Sequence, residues 1–145
     1  VGPGTLYRHF PNRGALVLEI YRREIQEMVD LAPALIAEHP PLVALRLWFD
    51  RLAQYDRIKH SLADALHAVM TEAVHGETYG PMVEAIRQLL QPGERAQVVR
   101  TGVDAEDLLL LMGFLWRTPP GPEGEARAER LLDLVIGSLK APPST

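Results

Sequence analysis

Cysteine is absent from the 145-residue sequence, which excludes disulfide bonds, thiol catalysis and metal sites with cysteine ligands. No apolar run approaches the length of a membrane-spanning helix, and the first residues do not read as a signal peptide. Runs of alternating apolar and polar residues, which are typical of half-buried strands, are also lacking. These absences favour an all-α protein of the cytoplasm.

Positive charge is scarce and unevenly placed. The formal net charge is −4, and of the 15 basic residues only Lys59 and Lys140 are lysine. Residues 7–13 hold Arg8, His9 and Arg13 without an acidic side chain, whereas carboxylates are spread through the rest of the chain. An acidic body with one basic end suits a protein that touches nucleic acid at that end only.

What is present is a series of helical patterns. Spacing and capping signals predict helices over about 3–10, 13–38, 42–57, 62–74, 79–90, 105–116 and 125–139. Asn12, Ser61 and Asp104 are the candidate N-caps. We expect Pro33 to kink or divide its helix, and we expect His75-Gly76 and Pro92-Gly93 to end theirs. The predicted units are a short helix with a linking helix over 1–37, a helical domain over 38–141 and a disordered tail over 142–145.

The densest motif lies at the start, where residues 1–16 read VGPGTLYRHFPNRGAL. This segment resembles the recognition helix of TetR-type bacterial transcriptional regulators and the beginning of the helix that follows it. The resemblance implies a TetR-type helical bundle, in which the remnant of an N-terminal helix-turn-helix precedes a ligand-binding and dimerisation domain. Because Val1 already falls within the motif, we expect the first helices of the DNA-binding domain to precede it.

The residue types of the motif suit the major groove of DNA. Small residues at the N-terminal end of a recognition helix permit close approach to base edges, and basic or hydroxyl side chains reach phosphates. A surface turn without function is the alternative, and the resemblance favours DNA contact. The predicted DNA-binding residues are Pro3, Gly4, Thr5, Tyr7, Arg8, His9 and Arg13.

Large, adaptable apolar side chains recur on several of the predicted helices. Such residues suit a cavity for a small, largely apolar molecule, although the same stripes are typical of an ordinary core. With the resemblance, we expect some of them to line an inducer site. The candidate ligand-binding residues are Trp48, Phe49, Leu52, Tyr55, Leu66, Met70, Met82, Ile86 and Phe114.

Residues 108–116 are apolar on all sides of a helix, so a helix of this sequence needs cover on more than one face. A symmetric homodimer provides that cover, and burial within one chain is the alternative. In the family, the last two helices pair with their copies. The candidate dimer residues are Leu108, Leu111, Leu115, Leu131, Leu134 and Val135.

The remaining polar residues indicate no catalytic chemistry. His60, Asp64 and His67 share a helix face at a spacing that metal ligands use, but we expect an exposed polar face there and neither a metal nor a cofactor. The predicted function is that of a repressor that binds double-stranded operator DNA and is released by a small molecule. A helical enzyme with a hydrophobic substrate, or an adaptor that binds partner helices, are the competing interpretations.

Overall fold

The structure of the protein is a computed structural model, which describes residues 12–143. Seven helical segments account for the regular structure of this range. They are α1 (Arg13–Glu38), α2 (Pro41–Ser61), α3 (Ala63–Val69), α4 (Glu72–Arg95), α5 (Ala105–Leu111), α6 (Phe114–Arg117) and α7 (Pro122–Leu139). Within these residues, β-type pairing is limited to one isolated bridge between Val99 and Lys140. The all-α fold class predicted from the sequence is confirmed.

Helix α1 begins where its capping signal predicted. The Asn12 side chain accepts a hydrogen bond from the Ala15 N–H at 2.8 Å, which satisfies one of the free amides of the first turn. The helix continues through Pro33 without a break, so the predicted division is absent. Ile20 lies outside its buried face and is 36% exposed. The buried residues of α1 are Val17, Tyr21, Ile25, Met28, Ala32 and Leu35.

Helix α2 lies at the centre of the molecule and packs against α1, α3, α4, α6 and α7. The side chains of Leu45, Trp48 and Phe49 are fully buried. The Trp48 indole N–H donates to the Met28 carbonyl oxygen of α1 at 2.9 Å. Because a buried indole N–H without a partner is costly, this bond helps to select the register in which the two helices cross.

The prediction for residues 62–74 is wrong. Helix α3 ends at Val69, and α4 begins at Glu72, where the Thr71 hydroxyl accepts a hydrogen bond from the Val74 N–H at 3.1 Å. The expected stop at His75-Gly76 therefore lies inside α4. Ser61 does not act as the N-cap of α3, because its hydroxyl donates back to the Ile58 carbonyl at 2.7 Å.

Helix α4 also passes through both of its prolines, Pro81 and Pro92, and ends at Arg95. Its buried face packs mainly against α1, and this tertiary packing outweighs the low helix propensity of proline and glycine. Gly93 is needed near the end, because a Cβ atom there would overlap the side chain of Val99 in the following loop.

The leucine-rich run is divided into α5 and α6. Asp104 caps α5 as predicted, accepting the Asp107 N–H at 2.9 Å, but the chain tightens at Met112 and Gly113. There the Gly113 N–H donates to the Leu110 carbonyl oxygen, and the Leu115 N–H donates to the Met112 carbonyl oxygen. Each acceptor lies three residues before its donor. Leu110 and Leu111 point outward and are 67% and 54% exposed.

The end of α7 is attached to the loop between α4 and α5. The Arg100 N–H donates to the Leu139 carbonyl, and the Ala141 N–H donates to the Val98 carbonyl, each at 2.9 Å. Leu132, Val135 and Leu139 of α7 are buried. In the described part of the chain, no helix combines the length and the hydropathy that crossing a membrane would require.

Replacing Gly124 by alanine should destabilise the fold. This buried glycine lies in the first turn of α7, and a Cβ atom would overlap the Pro119 carbonyl oxygen and lie 2.8 Å from its carbon. We expect Gly124→Ala to lower the free energy of unfolding by about 1–3 kcal/mol, because backbone must move to make room. Gly76→Ala is the matched control in an open helical site, where alanine should stabilise by roughly 0.5–1 kcal/mol. Urea denaturation measures both, and equal effects would contradict the packing described.

Candidate functional site

A cavity of about 250 Å³ lies between α1, α2, α4 and the α5–α6 region. Its wall is mainly apolar with a few polar groups, the composition usual for small-molecule sites. The lining residues are Tyr21, Ile25, Leu52, Tyr55, Asp56, Lys59, His75, Thr78, Tyr79, Met82, Leu109, Met112, Gly113 and Trp116.

Hydroxyl groups link α1 to α4 on one wall of this cavity. The Tyr21 hydroxyl lies 3.2 Å from Thr78 Oγ1, which is itself 3.1 Å from the carbonyl oxygens of Val74 and His75. Because the single hydroxyl proton of Thr78 is directed at these carbonyls, Tyr21 is the donor to Thr78. The phenolic oxygen of Tyr21 therefore retains the capacity to accept a hydrogen bond from a bound molecule.

Lys59 brings a positive charge to the cavity. Its Nζ lies 5.9 Å from the ring centroid of Tyr21, 6.0 Å from that of Tyr55 and 5.6 Å from that of Trp116. These distances are within cation–π range. Lys59 is half-buried, and among residues 12–143 no carboxylate lies within 4.0 Å of its ammonium group.

Asp56 lies one helical turn before Lys59 on the same wall. Burial raises the pKa of the Asp56 carboxyl group to about 6, although the positive charges of Lys59 and His60 oppose this shift. The pKa of the neighbouring Tyr55 phenol is also raised, first by burial and then by Tyr21. Tyr55 and Asp56 are therefore partly shielded from solvent, and their charges interact more strongly with neighbouring groups than they would in water.

Stacked ring pairs lie at the rim. His60 stacks on Trp116 with 4.6 Å between the ring centroids, and His75 stacks on Tyr79 at 5.3 Å. The Tyr79 hydroxyl donates to Glu106 of α5 at 3.1 Å. These contacts connect α2 to α6 and α4 to α5, so Trp116 and Tyr79 are each held by a second helix.

The structure distributes the nine candidate ligand-binding residues among three environments. Leu52, Tyr55 and Met82 line the cavity. Trp48, Phe49, Ile86 and Leu66 are buried in the core, away from the lining. Met70 and Phe114 are half-buried against the core and also lie outside the lining.

Sequence reasoning did not select the polar residues of the cavity, which include Asp56, Lys59 and Thr78. A search for apolar residues at helical spacing does not select polar residues. One signal was available, because Lys59 is one of only two lysines in a chain that otherwise uses arginine.

Of the predicted DNA-binding residues, Pro3, Gly4, Thr5, Tyr7, Arg8 and His9 lie outside the described residues. Arg13 is exposed and is the first residue of α1, directly after the Asn12 cap. Its position at a helix N-terminus is one where backbone amides and a guanidinium group can hold a phosphate together. Among residues 12–143, no group of three or more His, Asp or Glu side chains is arranged to hold a metal ion.

Comparison with known proteins identifies the class. The family model described as the SbtR-like transcriptional regulator C-terminal domain matches residues 40–141. The chain therefore belongs to the TetR family of transcriptional regulators, as the motif at its start indicated.

A solved relative shows the same architecture. The structure is similar to the crystal structure of the TetR transcriptional regulator SCO0520 from Streptomyces coelicolor, with a TM-score of 0.90 and 36% sequence identity. The alignment covers 99% of this chain and 83% of that one. No curated protein sequence matches the chain significantly.

Asp56→Asn should stabilise the protein at alkaline pH. The pKa of Asp56 rises from 3.8 to about 6 on folding, so the folded state favours the protonated group. The stability this protonation provides is complete below pH 4 and is lost as the pH rises through 6. At about 1.36 kcal/mol per pKa unit, we expect Asp56→Asn to raise the free energy of unfolding at pH 8 by at most about 3 kcal/mol.

Denaturant unfolding at pH 4, 6 and 8 measures this difference, which should shrink toward zero at the acidic end. Asp30→Asn is the control, because Asp30 is exposed on α1 and asparagine keeps the oxygen that accepts from Gln26. A pH-independent effect of Asp56→Asn, or an equal effect at Asp30, would contradict the burial described.

Proposed function

We propose that the chain is part of a ligand-responsive repressor, which binds operator DNA as a homodimer in the cytoplasm and is released when a small molecule fills the cavity. The observation that carries this proposal is the position of α1. The helix follows the DNA-reading motif directly and supplies Tyr21 and Ile25 to the cavity wall. A molecule in the cavity therefore contacts the helix that carries the DNA-reading segment.

The mechanism we infer is a shift of α1 relative to α2 and α4. The middle of α1 is held to α2 by the Trp48–Met28 bond and by Arg51, whose guanidinium group lies 2.8 Å from Glu24 and 3.1 Å from Glu27. The cavity contacts α1 at Tyr21, on the N-terminal side of these bonds, and at Ile25, among them. A ligand changes DNA affinity only if it binds the two arrangements unequally, and such couplings are typically about 1–3 kcal/mol.

A second contact supports the same route. The short helix α3 connects the cavity-lining end of α2 to the start of α4, and it packs on the first turns of α1. A Cβ atom at Gly14 would lie 2.8 Å from the Val69 side chain, so the absence of a side chain at Gly14 permits this approach. A displacement of α3 would therefore move Gly14, which adjoins the predicted DNA-reading motif.

The dimer face we propose is centred on the exposed leucines of α5 and α7. Leu108, Leu115 and Val135 are buried within one chain, and Leu131 is half-buried. Leu110, Leu111 and Leu134 are 67%, 54% and 70% exposed, which is high for leucine and typical of a surface that meets a partner. Two copies would set their recognition helices about 34–36 Å apart, one turn of DNA.

DNA binding is tested with the full-length regulator and a duplex selected from a random pool. We expect nuclease protection of a palindromic site and an affinity that falls steeply with salt. Arg13→Ala should reduce the slope of log K against log salt by about 0.9, the value for one lost phosphate contact. Arg23→Ala, on the exposed side of the same helix, is the control and should leave the slope unchanged. Failure to select any duplex would contradict the proposal.

Dimerisation is tested by sedimentation of the chain and of Leu134→Glu. A carboxylate facing its own copy across an apolar interface is strongly unfavourable, so we expect Leu134→Glu to shift the dimer toward monomer by at least about tenfold in dissociation constant. Ala37→Glu adds the same charge at an exposed position of α1 and should leave the dimer intact. A monomeric parent chain, or a dimer insensitive to Leu134→Glu, would reject this face.

A further inference from the structure

We propose that the cavity binds an organic monoanion, an acid with one carboxylate on an apolar body, and that Lys59 binds the carboxylate. This inference rests on the proposed role of the cavity as the inducer site and adds the chemical class of the inducer. It is drawn from the charges and contacts of the cavity wall.

In the described part of the chain no carboxylate lies within 4.0 Å of the Lys59 ammonium group, so Asp56 acts on it through its charge and not as a salt-bridge partner. Three aromatic faces lie within 6.0 Å of it, but they offer no lone pairs comparable to those of a carboxylate. A ligand that enters the cavity displaces water from Lys59. A carboxylate replaces that hydration with charge-assisted hydrogen bonds, whereas a neutral ligand leaves the charge without a partner.

The same geometry disfavours a cationic ligand. Aromatic side chains could bind an ammonium group, but the faces of Tyr21, Tyr55 and Trp116 are already directed at Lys59. A second cation in this space would meet the like charge of Lys59 at close range. Because Lys59 is half-buried, that repulsion is larger than it would be in bulk water.

The wall also limits the ligand to one negative charge. Lys59 is the only lysine or arginine among the lining residues. Asp56 lies on the same wall, and Glu106 lies behind Tyr79 at the rim. A second carboxylate on the ligand would therefore face acidic groups without a second cation to bind it.

The remainder of the cavity defines the body of the acid. Ile25, Leu52, Met82, Leu109 and Met112 supply aliphatic and thioether surface from four parts of the fold. Methionine side chains adapt to flat or irregular shapes, so this wall suits an aryl or short alkyl group. The phenolic oxygen of Tyr21 can accept from a hydroxyl or amine substituent on that body.

The test is calorimetric titration of the full-length regulator with matched probes. Phenyl, naphthyl, hexyl and decyl bodies are each supplied as the carboxylate, the primary carboxamide and the primary amine. We expect at least one carboxylate to bind about tenfold or more tightly than its carboxamide, as loss of a charged hydrogen bond requires. We expect no amine to bind more tightly than its carboxylate.

Variants of Lys59 locate the effect. Lys59→Met should remove the preference for the carboxylate over the carboxamide, and Lys59→Arg should retain most of it. Lys140→Met changes the other lysine of the 145-residue sequence, which is exposed directly after α7, and should have no effect. Thermal unfolding and operator binding establish whether each variant is folded. If Lys59→Met does not fold, Lys59→Arg tests the inference, because it should keep the preference for the carboxylate.

The outcomes separate this inference from the proposed function. Equal binding of carboxylates and carboxamides, preferred binding of amines, no binding of any carboxylate, or a preference that persists in Lys59→Met would overturn the assignment of an acid. If acids bind through Lys59 but do not release operator DNA, the ligand class stands and the inducer role fails. If only uncharged molecules release DNA, the repressor mechanism stands and the acid is rejected.

Discussion

The Trp48 indole N–H donates to the Met28 carbonyl oxygen, and this buried bond joins the central helix to the long helix α1. Arg51 adds contacts to Glu24 and Glu27 beside it. Together these interactions hold the middle of α1. The Asn12 cap lies 16 residues before Met28, a distance of about 24 Å along a helix. A small rotation about the held region would become a larger displacement at the N-terminal end, and Tyr21 of the cavity wall lies on that side of the held region.

The cavity combines two requirements that oppose each other. Its wall buries Asp56 enough to raise the pKa of that carboxyl group to about 6. The same wall places the ammonium group of Lys59 at the cavity surface. Aromatic faces around Lys59 offset part of the cost of removing its hydration. Under the proposed acid-binding role, the carboxylate would supply Lys59 with charge-assisted hydrogen bonds that its aromatic neighbours do not provide.

Capping chemistry made the starts of α1 and α5 predictable. Asn12 and Asp104 both accept the backbone N–H three residues later, as their sequence positions indicated. The region between 61 and 76 was mispredicted because one helix was expected to continue to the apparent stop at His75-Gly76, whereas Thr71 caps a new helix before that point. In the folded protein, α4 gains enough packing against α1 to continue through those residues and through two prolines.

The cavity was harder to predict than the fold. Large side chains such as Trp48, Phe49 and Ile86 were candidates because of their size, but size is what allows them to fill the interior completely. A cavity forms where neighbouring helices diverge, and the residues that line it depend on that divergence. The hydrophobic pattern of a single helix does not show where its neighbours diverge. Gly113 illustrates the point, since the break it makes in the leucine run brings Trp116 to the cavity wall.

Backbone hydrogen bonds of Ala141 with Val98 and of Arg100 with Leu139 join the two ends of the segment 98–141. Joining the two ends of a segment restricts the conformations of the chain between them. The α4–α5 loop and the end of α7 therefore keep their relative positions when other parts of the molecule shift. The exposed leucines Leu110, Leu111 and Leu134 lie on α5 and α7, inside this joined segment, so their arrangement depends on two backbone hydrogen bonds outside the helices.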